Sequence, residues 1–342
     1  VRPVRMSSII LYIRWLSAAL ASSLFLKGCG NGSTEWAWTS PLCLHTGIGL
    51  KKTLQFNDLG NFSKVHINSG ISTYIAVGSA PSCEVSIYEN IADGLQVQVA
   101  SDTLYIGMKP NYCDHDALAK LQMTVAPRGL TVSAGSFVSA DSLNGNLFVD
   151  GGSPVTIRQV SASNFEIINK DGSRVTIHQA ACTRFKLDNS DGSSVSVHNV
   201  TGEEFDTTST AGSIVTVKDG SVRSCSVSGN AGSRVLLGGL MATSGRISLH
   251  GGASLQGMVA KDVELDMSGG AHINTTVTGL VSGSCSGGGF ATIRGGSSIS
   301  TLLTGSGCGK SAERSGALVE RGRAMAAPRR IRDSLISLEE QS

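Results

Sequence analysis

The chain has 342 residues, a formal net charge of +2, 42 glycines and only 5% aromatic residues. So even a charge balance argues against a nucleic-acid binder, which needs a basic face, and offers no acidic excess for buffering cations. Abundant glycine beside small and β-branched residues favours short strands and tight turns over helices.

Residues 1–28 read as an export signal. Arg2 and Arg5 precede the apolar run Ile9-Ile10-Leu11-Tyr12-Ile13, and a small or apolar stretch continues from Trp15 to Leu26. Arg14 interrupts it, so the uninterrupted run is short for a membrane span. Ala19-Leu20-Ala21 offers a small-residue cleavage site. An uncleaved anchor is the alternative. Leu26-Lys27-Gly28-Cys29 is similar to a bacterial lipobox, with Lys27 departing from the pattern, and lipidation of Cys29 is a third reading. Membrane association is expected only through this signal or a lipid anchor. Residues 29–52, with Trp36-Ala37-Trp38, read as a linker.

Residues 53–132 carry strand signals separated by Gly, Asn, Asp and Pro: Phe62 to Ile67, Ile71 to Val77, Cys83 to Tyr88, Leu95 to Val99, Thr103 to Ile106 and Leu121 to Val125. Asn111 to Ala119 is expected to be a loop or one helical turn. This part reads as an irregular β cap on a more regular C-terminal stretch.

In residues 133–309 a short mark repeats. Gly151-Gly152-Ser153 returns as Asp171-Gly172-Ser173, Asp191-Gly192-Ser193, Ala211-Gly212-Ser213 and Ala231-Gly232-Ser233, at 20-residue spacing. Gly251-Gly252-Ala253 and Gly269-Gly270-Ala271 continue it. Each mark leads into alternating apolar and polar residues, such as Val155-Thr156-Ile157 and Val175-Thr176-Ile177, and a second run such as Phe165-Glu166-Ile167 comes after. Twenty residues hold two short strands and two turns, with no room for a helix. One unit cannot bury its apolar face alone, but stacked units can, with Val175 over Val155 and Phe185 over Phe165. The fold class is therefore all-β, a parallel β-helix, or solenoid, of about eight coils and roughly 40 Å. Residues 310–342, rich in Ala, Arg and Glu, read as a disordered or partly helical tail.

Here the order of motifs resembles a known family. Phe62-Ser63-Lys64-Val65-His66-Ile67 leads into Ser69-Gly70-Ile71-Ser72-Thr73-Tyr74-Ile75, then Asp102-Thr103-Leu104-Tyr105-Ile106, then the Gly-Ser coils. Over roughly residues 53–305 this is similar to the head GIN domain family, described as putative auto-transporter adhesins. The resemblance implies a right-handed β-helix on an exported, often surface-attached protein. It brings no catalytic residues with it.

The eight cysteines fit an exported protein. Cys83 and Cys113 flank predicted strands and are a candidate pair, and Cys285 and Cys308 are candidates to close the last coils. Cys182 and Cys225, inside repeats, read as buried thiols. No zinc-type spacing is present.

Parallel β-helices also carry polysaccharide lyases and hydrolases, which makes stacked carboxylates candidates for chemistry. Asp171 and Asp191 should stand about 5 Å apart and could act as an acid/base pair or hold Ca²⁺. The plainer reading is that Asp suits the turn before Gly. Asn169 and Asn189 read as a turn-stabilising ladder. Arg158, His178, His198 and Lys218 occupy one position in four successive coils and should face solvent as a cationic ladder, suited to an anionic glycan or an envelope component. Two stacked imidazoles also suggest a metal, and the plain alternative is a solvated face that discourages edge pairing. No GxSxG elbow and no phosphate loop occurs. The sequence thus predicts an exported, non-enzymatic adhesion or scaffold protein without a cofactor, with a polysaccharide-binding or polysaccharide-degrading β-helix as the alternative.

Overall fold

A computed structural model describes residues 44–114 and 116–295, and the backbone of 300–304 and 309–314. By its internal contacts the chain divides into Val1–Pro41, outside the described residues, and Leu42–Ser342. The export signal, Cys29, Cys308 and most of the expected tail also lie outside the described residues.

The architecture is a stack of coils, about eight in number. The first strands are β1 (His45–Thr46), β2 (Lys51–Phe56), β3 (Lys64–Ile67), β4 (Ser72–Val77) and β5 (Ser82–Tyr88). A 3₁₀ turn at Glu89–Gly94 leads to β6 (Leu95–Ala100), β7 (Thr103–Met108), β8 (Tyr112–Cys113) and β9 (Leu118–Met123). Next come β10 (Gly129–Val132), β11 (Val138–Leu143) and β12 (Asn146–Val149), then four strands of 16 residues: β13 (Pro154–Asn169), β14 (Arg174–Asn189), β15 (Ser194–Ser209) and β16 (Ile214–Gly229). The stack continues with β17 (Arg234–Leu237), β18 (Leu240–Leu249), β19 (Ser254–Met267), β20 (His272–Val277), β21 (Leu280–Cys285), β22 (Phe290–Gly295), β23 (Ser300–Thr304) and β24 (Gly309–Arg314).

The two short strands expected per coil run together as one bent strand in β13 to β16. The bends are visible in the burial pattern. Alternation of inward and outward side chains breaks at two successive exposed residues, Arg158-Gln159 and again Ser163-Asn164. Each coil therefore presents three faces. The corner that closes the coil is a two-residue turn. Asp171 (φ 57°) and Gly172 (φ 72°) are both left-handed, and Ser173 N–H donates to the Lys170 carbonyl at 3.2 Å. That is a type I′ turn, which favours Asp-Gly and Gly-Gly. Each turn also ties to the next coil, as Gly172 N–H donates to the Asp191 carbonyl and Gly192 N–H to the Ala211 carbonyl, both at 3.0 Å.

Inside, like stacks on like. Val155, Val175, Val195, Val215 and Val235 form one register column. Phe165, Phe185 and Phe205 form another, with ring centroids 5.2 and 5.3 Å apart. Cys225 and Gly245 then take the Phe position. Met258 fills the space beside Gly245, where an added Cβ would lie 2.9 Å from its Cε. Asn169 and Asn189 are buried, and Asn169 Nδ2 donates to Asn189 Oδ1 at 2.9 Å.

The cap is mixed. β4 pairs in parallel with β9 and β11, and β3 with β7 and β10. Antiparallel β5 and β2 then cover β9, and antiparallel β6 covers β7. The terminal coil thus shows a crossed, antiparallel edge instead of a parallel template for another chain. Some expectations need correction here. β1 and the start of β2 fall in the segment read as linker, and β24 reaches into the segment read as tail. Among the described residues of Asn111 to Ala119 there is no helical turn: β8 pairs with β1, and β9 begins at Leu118, earlier than Leu121.

The Cys83–Cys113 pairing is also corrected. Cys83 is a buried free thiol, because its side chain points inward from β5, whereas Cys113 is disulfide-bonded elsewhere. Cys285 is disulfide-bonded, and its expected partner Cys308 lies outside the described residues. Cys182 and Cys225 are buried free thiols, as their repeat positions predict.

Candidate functional site

The site lies on the outward side of the first face, at its bend. Register places it. Ile157 pairs with Ile177 and Gln159 with Gln179, so Arg158 stands beside His178. The same register carries on to His198 and Lys218. Towards the cap, Ala140 pairs with Ile157 and Ser142 with Gln159, which sets Asp141 next to Arg158. A groove of about 910 Å³ runs here, lined by Val77, Asp141, Arg158, Gln159, His178, Gln179 and His198. The four ladder residues are brought together as the spacing predicts.

Their contacts are directional. His178 Nδ1 lies 3.2 Å from His198 Nδ1, with the rings edge-to-face at 4.6 Å. Lys218 Nζ lies 3.1 Å from His198 Nε2. An ammonium only donates, so His198 Nε2 accepts, and its ring proton sits on Nδ1. That N–H donates to His178 Nδ1, and the His178 proton is left on Nε2. Partial burial, then Lys218, then His178 hold His198 below the usual histidine range.

The ladder differs from the basic residues on the third face that stand among acids. On the third face Lys186 is paired with Glu166 (2.7 Å) and Asp188 (3.1 Å), and Arg184 with Glu204 (3.2 Å) and Asp206 (3.1 Å). Arg246 is paired with Glu264 at 3.0 Å. Among the described residues, no carboxylate lies in ion-pair contact with Arg158, His178, His198 or Lys218.

Sequence reading missed the aromatics beside the ladder. Tyr74 and Phe137 come from the cap strands and stay 43% and 45% exposed. Their neighbours Thr73, Ile75, Ser136 and Val138 are buried, so both rings point out on the groove's side. Tyr74 pairs in register with Ser139, two residues from Asp141 and Phe137. The Tyr74 hydroxyl donates to Asp141 Oδ2 at 3.0 Å, and this bond raises the phenol above its usual range. Strand alternation around Tyr74 was the signal in the sequence. Its closeness to Arg158 was not, because 83 residues intervene.

Asp171 and Asp191 are not part of this groove. They occupy turn positions that Gly151, Ala211 and Ala231 fill elsewhere, and Asp191 Oδ2 accepts from Ser190 Oγ at 2.8 Å. Among the described residues no three His, Cys, Asp or Glu side chains gather as a metal site. No helix there is long and apolar enough to cross a membrane.

The family model described as "Putative auto-transporter adhesin, head GIN domain" matches residues 61–257, which spans the cap, the groove and the regular coils. The chain belongs to the head GIN domain family. Among solved structures this head GIN protein is similar to a putative adhesin from Parabacteroides merdae, at 14% identity and a TM-score of 0.44, over 79% of this chain and 98% of that one. It is similar also to a putative lipid binding protein from Parabacteroides distasonis, at 18% identity and a TM-score of 0.44, over 78% and 98%. A putative adhesin from Bacteroides fragilis matches at 14% identity and a TM-score of 0.37, over 78% and 99%. No curated protein matches the head GIN chain.

Proposed function

We propose that this protein is an exported, non-enzymatic β-solenoid that works at the cell surface in adhesion, and that its binding face is the groove between Tyr74 and Lys218. The ligand is an acidic glycan. One observation carries this reading: four successive coils stack Arg158, His178, His198 and Lys218 in one outward column, and among the described residues none of the four has a carboxylate in ion-pair contact, unlike Arg184, Lys186 and Arg246 on the third face. An anion lying along this column would answer Arg158 and Lys218 at its two ends and find histidine N–H groups between them. Exposed Tyr74 and Phe137 add rings on which a sugar can stack, at one end of the row. From β4 through β11 and β13 to β16 the face spans six strands, about 24 Å at the usual strand spacing, which suits a short oligosaccharide lying along the stack. Membership in a family named for adhesins supports the role, and the export-like N-terminus supports the location. The degrading alternative loses its best residues, because Asp171 and Asp191 serve a turn.

The test is an array of acidic and neutral oligosaccharides probed with the full chain at about 0.1 M and about 1 M salt, between which the screening length falls from about 10 to 3 Å. Binding confined to acidic sugars and weakened by salt is expected. No binding at either salt level, or equal binding of neutral sugars, would overturn the reading.

A further inference from the structure

The row Lys218–His198–His178 holds a fixed number of protons. Lys218 donates to His198 Nε2, and His198 Nδ1–H donates to His178 Nδ1. Both accepting nitrogens are occupied in this arrangement. A further proton on His198 Nε2 meets an ammonium N–H, and one on His178 Nδ1 meets the His198 N–H. The row can therefore take up a proton only by breaking one of its two contacts.

The residues directly next to the histidine pair in the column are both cations. Arg158 stands on one side of the histidines and Lys218 on the other. Two carboxylates stand one step further out and keep their charge, Asp141 beyond Arg158 with a bond from Tyr74 and Asp219 after Lys218 with its Oδ1 accepting from Gly220 N–H at 2.8 Å, yet at His198 burial and Lys218 prevail. Gln159, Gln179 and Asn199 flank the row without charge. Thr176 and Ser196, one column away, add hydroxyls only. An empty groove thus opposes a further positive charge, while a bound anion removes that opposition and also gives the freed N–H groups an acceptor.

We propose that capture of the acidic glycan is proton-linked: binding an anion across Arg158, His178, His198 and Lys218 draws a proton from solvent onto the histidine pair, so that affinity rises as the medium becomes mildly acidic. This rests on the binding face assigned above. The direction follows from reciprocity, because a ligand that prefers the protonated row must in turn make the row easier to protonate. Burial and Lys218 hold His198 below the usual histidine range, which disfavours its extra proton while the groove is empty.

The probe is a fully sulfated maltotetraose, whose own charge does not change over the range, titrated into the full chain at constant ionic strength. Affinity should be about 10-fold tighter near pH 5.5 than near pH 7.5, the effect of about one unit of histidine shift. Calorimetry at about pH 6.5 in two buffers of different ionisation enthalpy should show net proton uptake. The double variant His178→Gln/His198→Gln should bind more weakly and lose the pH dependence. Wild-type binding with equal affinity at both pH values and no proton uptake would overturn the linkage and leave the binding face standing. A pH dependence that persists in the double variant would do the same. No binding at either pH would overturn the face and the linkage together.

Discussion

Asn189 shows how a single buried polar side chain is made tolerable. Its Oδ1 accepts from Asn169 Nδ2 (2.9 Å) and Ser193 Oγ (2.6 Å), and its Nδ2 donates to the Ser193 (3.2 Å) and Ile214 (2.9 Å) carbonyls. Replacing it by Ala strands several of these groups and should cost about 1–3 kcal/mol in urea unfolding. Asn189→Asp is nearly the same shape yet should cost more at neutral pH. It puts a carboxylate where two carbonyls expect donors, and part of the loss should return in acid as it protonates. Phe205, at 0% exposure, packs on Phe185, so Phe205→Ala should cost about 3–5 kcal/mol. Cys83 and Cys225 are pushed up to about 12 by burial, and Cys182 to about 11. None of the three should be alkylated by iodoacetamide in the native chain near pH 8, where the thiolate is scarce. Rapid labelling of any of them would contradict the packing described.

At the scale of elements, the coil was legible because three local signals agree. The I′ turn wants Asp-Gly or Gly-Gly, the strand wants alternation, and the spacing repeats both. Gly172 has open space around its missing Cβ, so Gly172→Ala should cost only the left-handed penalty, about 1–2 kcal/mol, and leave the fold intact. Ala211 and Ala231 already sit left-handed at the preceding turn position, which shows that the coil bears such strain. The cap was less legible, because its pairings are long-range. Nothing local tells β9 to start at Leu118 or β8 to meet β1. The cap also holds the acid-sensitive contacts. Ser63 bonds hold Asp102 below the usual carboxylate range, and Gln55 then Lys120 do so for Glu84. A depressed carboxylate stabilises the fold above its unfolded value, about 4, and that gain is lost as pH falls through the folded value. Hydrogen exchange should therefore show β3, β5 and β7 losing protection below about pH 4 before the coils from β13 to β16 do. Simultaneous loss, or coils first, would count against this order.

At the scale of the molecule, the ladder exists only because coils stack. Arg158, His178, His198 and Lys218 were readable from their common place in the repeat, since stacking converts a sequence period into a row. Tyr74, Phe137 and Asp141 join that row from outside the repeat, where no period points to them, and the pairing of Cys113 was equally hidden. The missing carboxylates could not be read from composition either, because the chain as a whole is nearly balanced in charge. What marks the groove is a column of four basic residues in register, while the acids that pair with Lys186, Arg184 and Arg246 lie elsewhere. The most direct measurement is the affinity of the full chain for an acidic oligosaccharide, wild type against Arg158→Gln/Lys218→Gln, at about 0.1 M salt. The variant should bind at least about 10-fold more weakly, or by about 1.4 kcal/mol, with unfolding unchanged. Equal binding by both proteins would contradict the assignment of the groove.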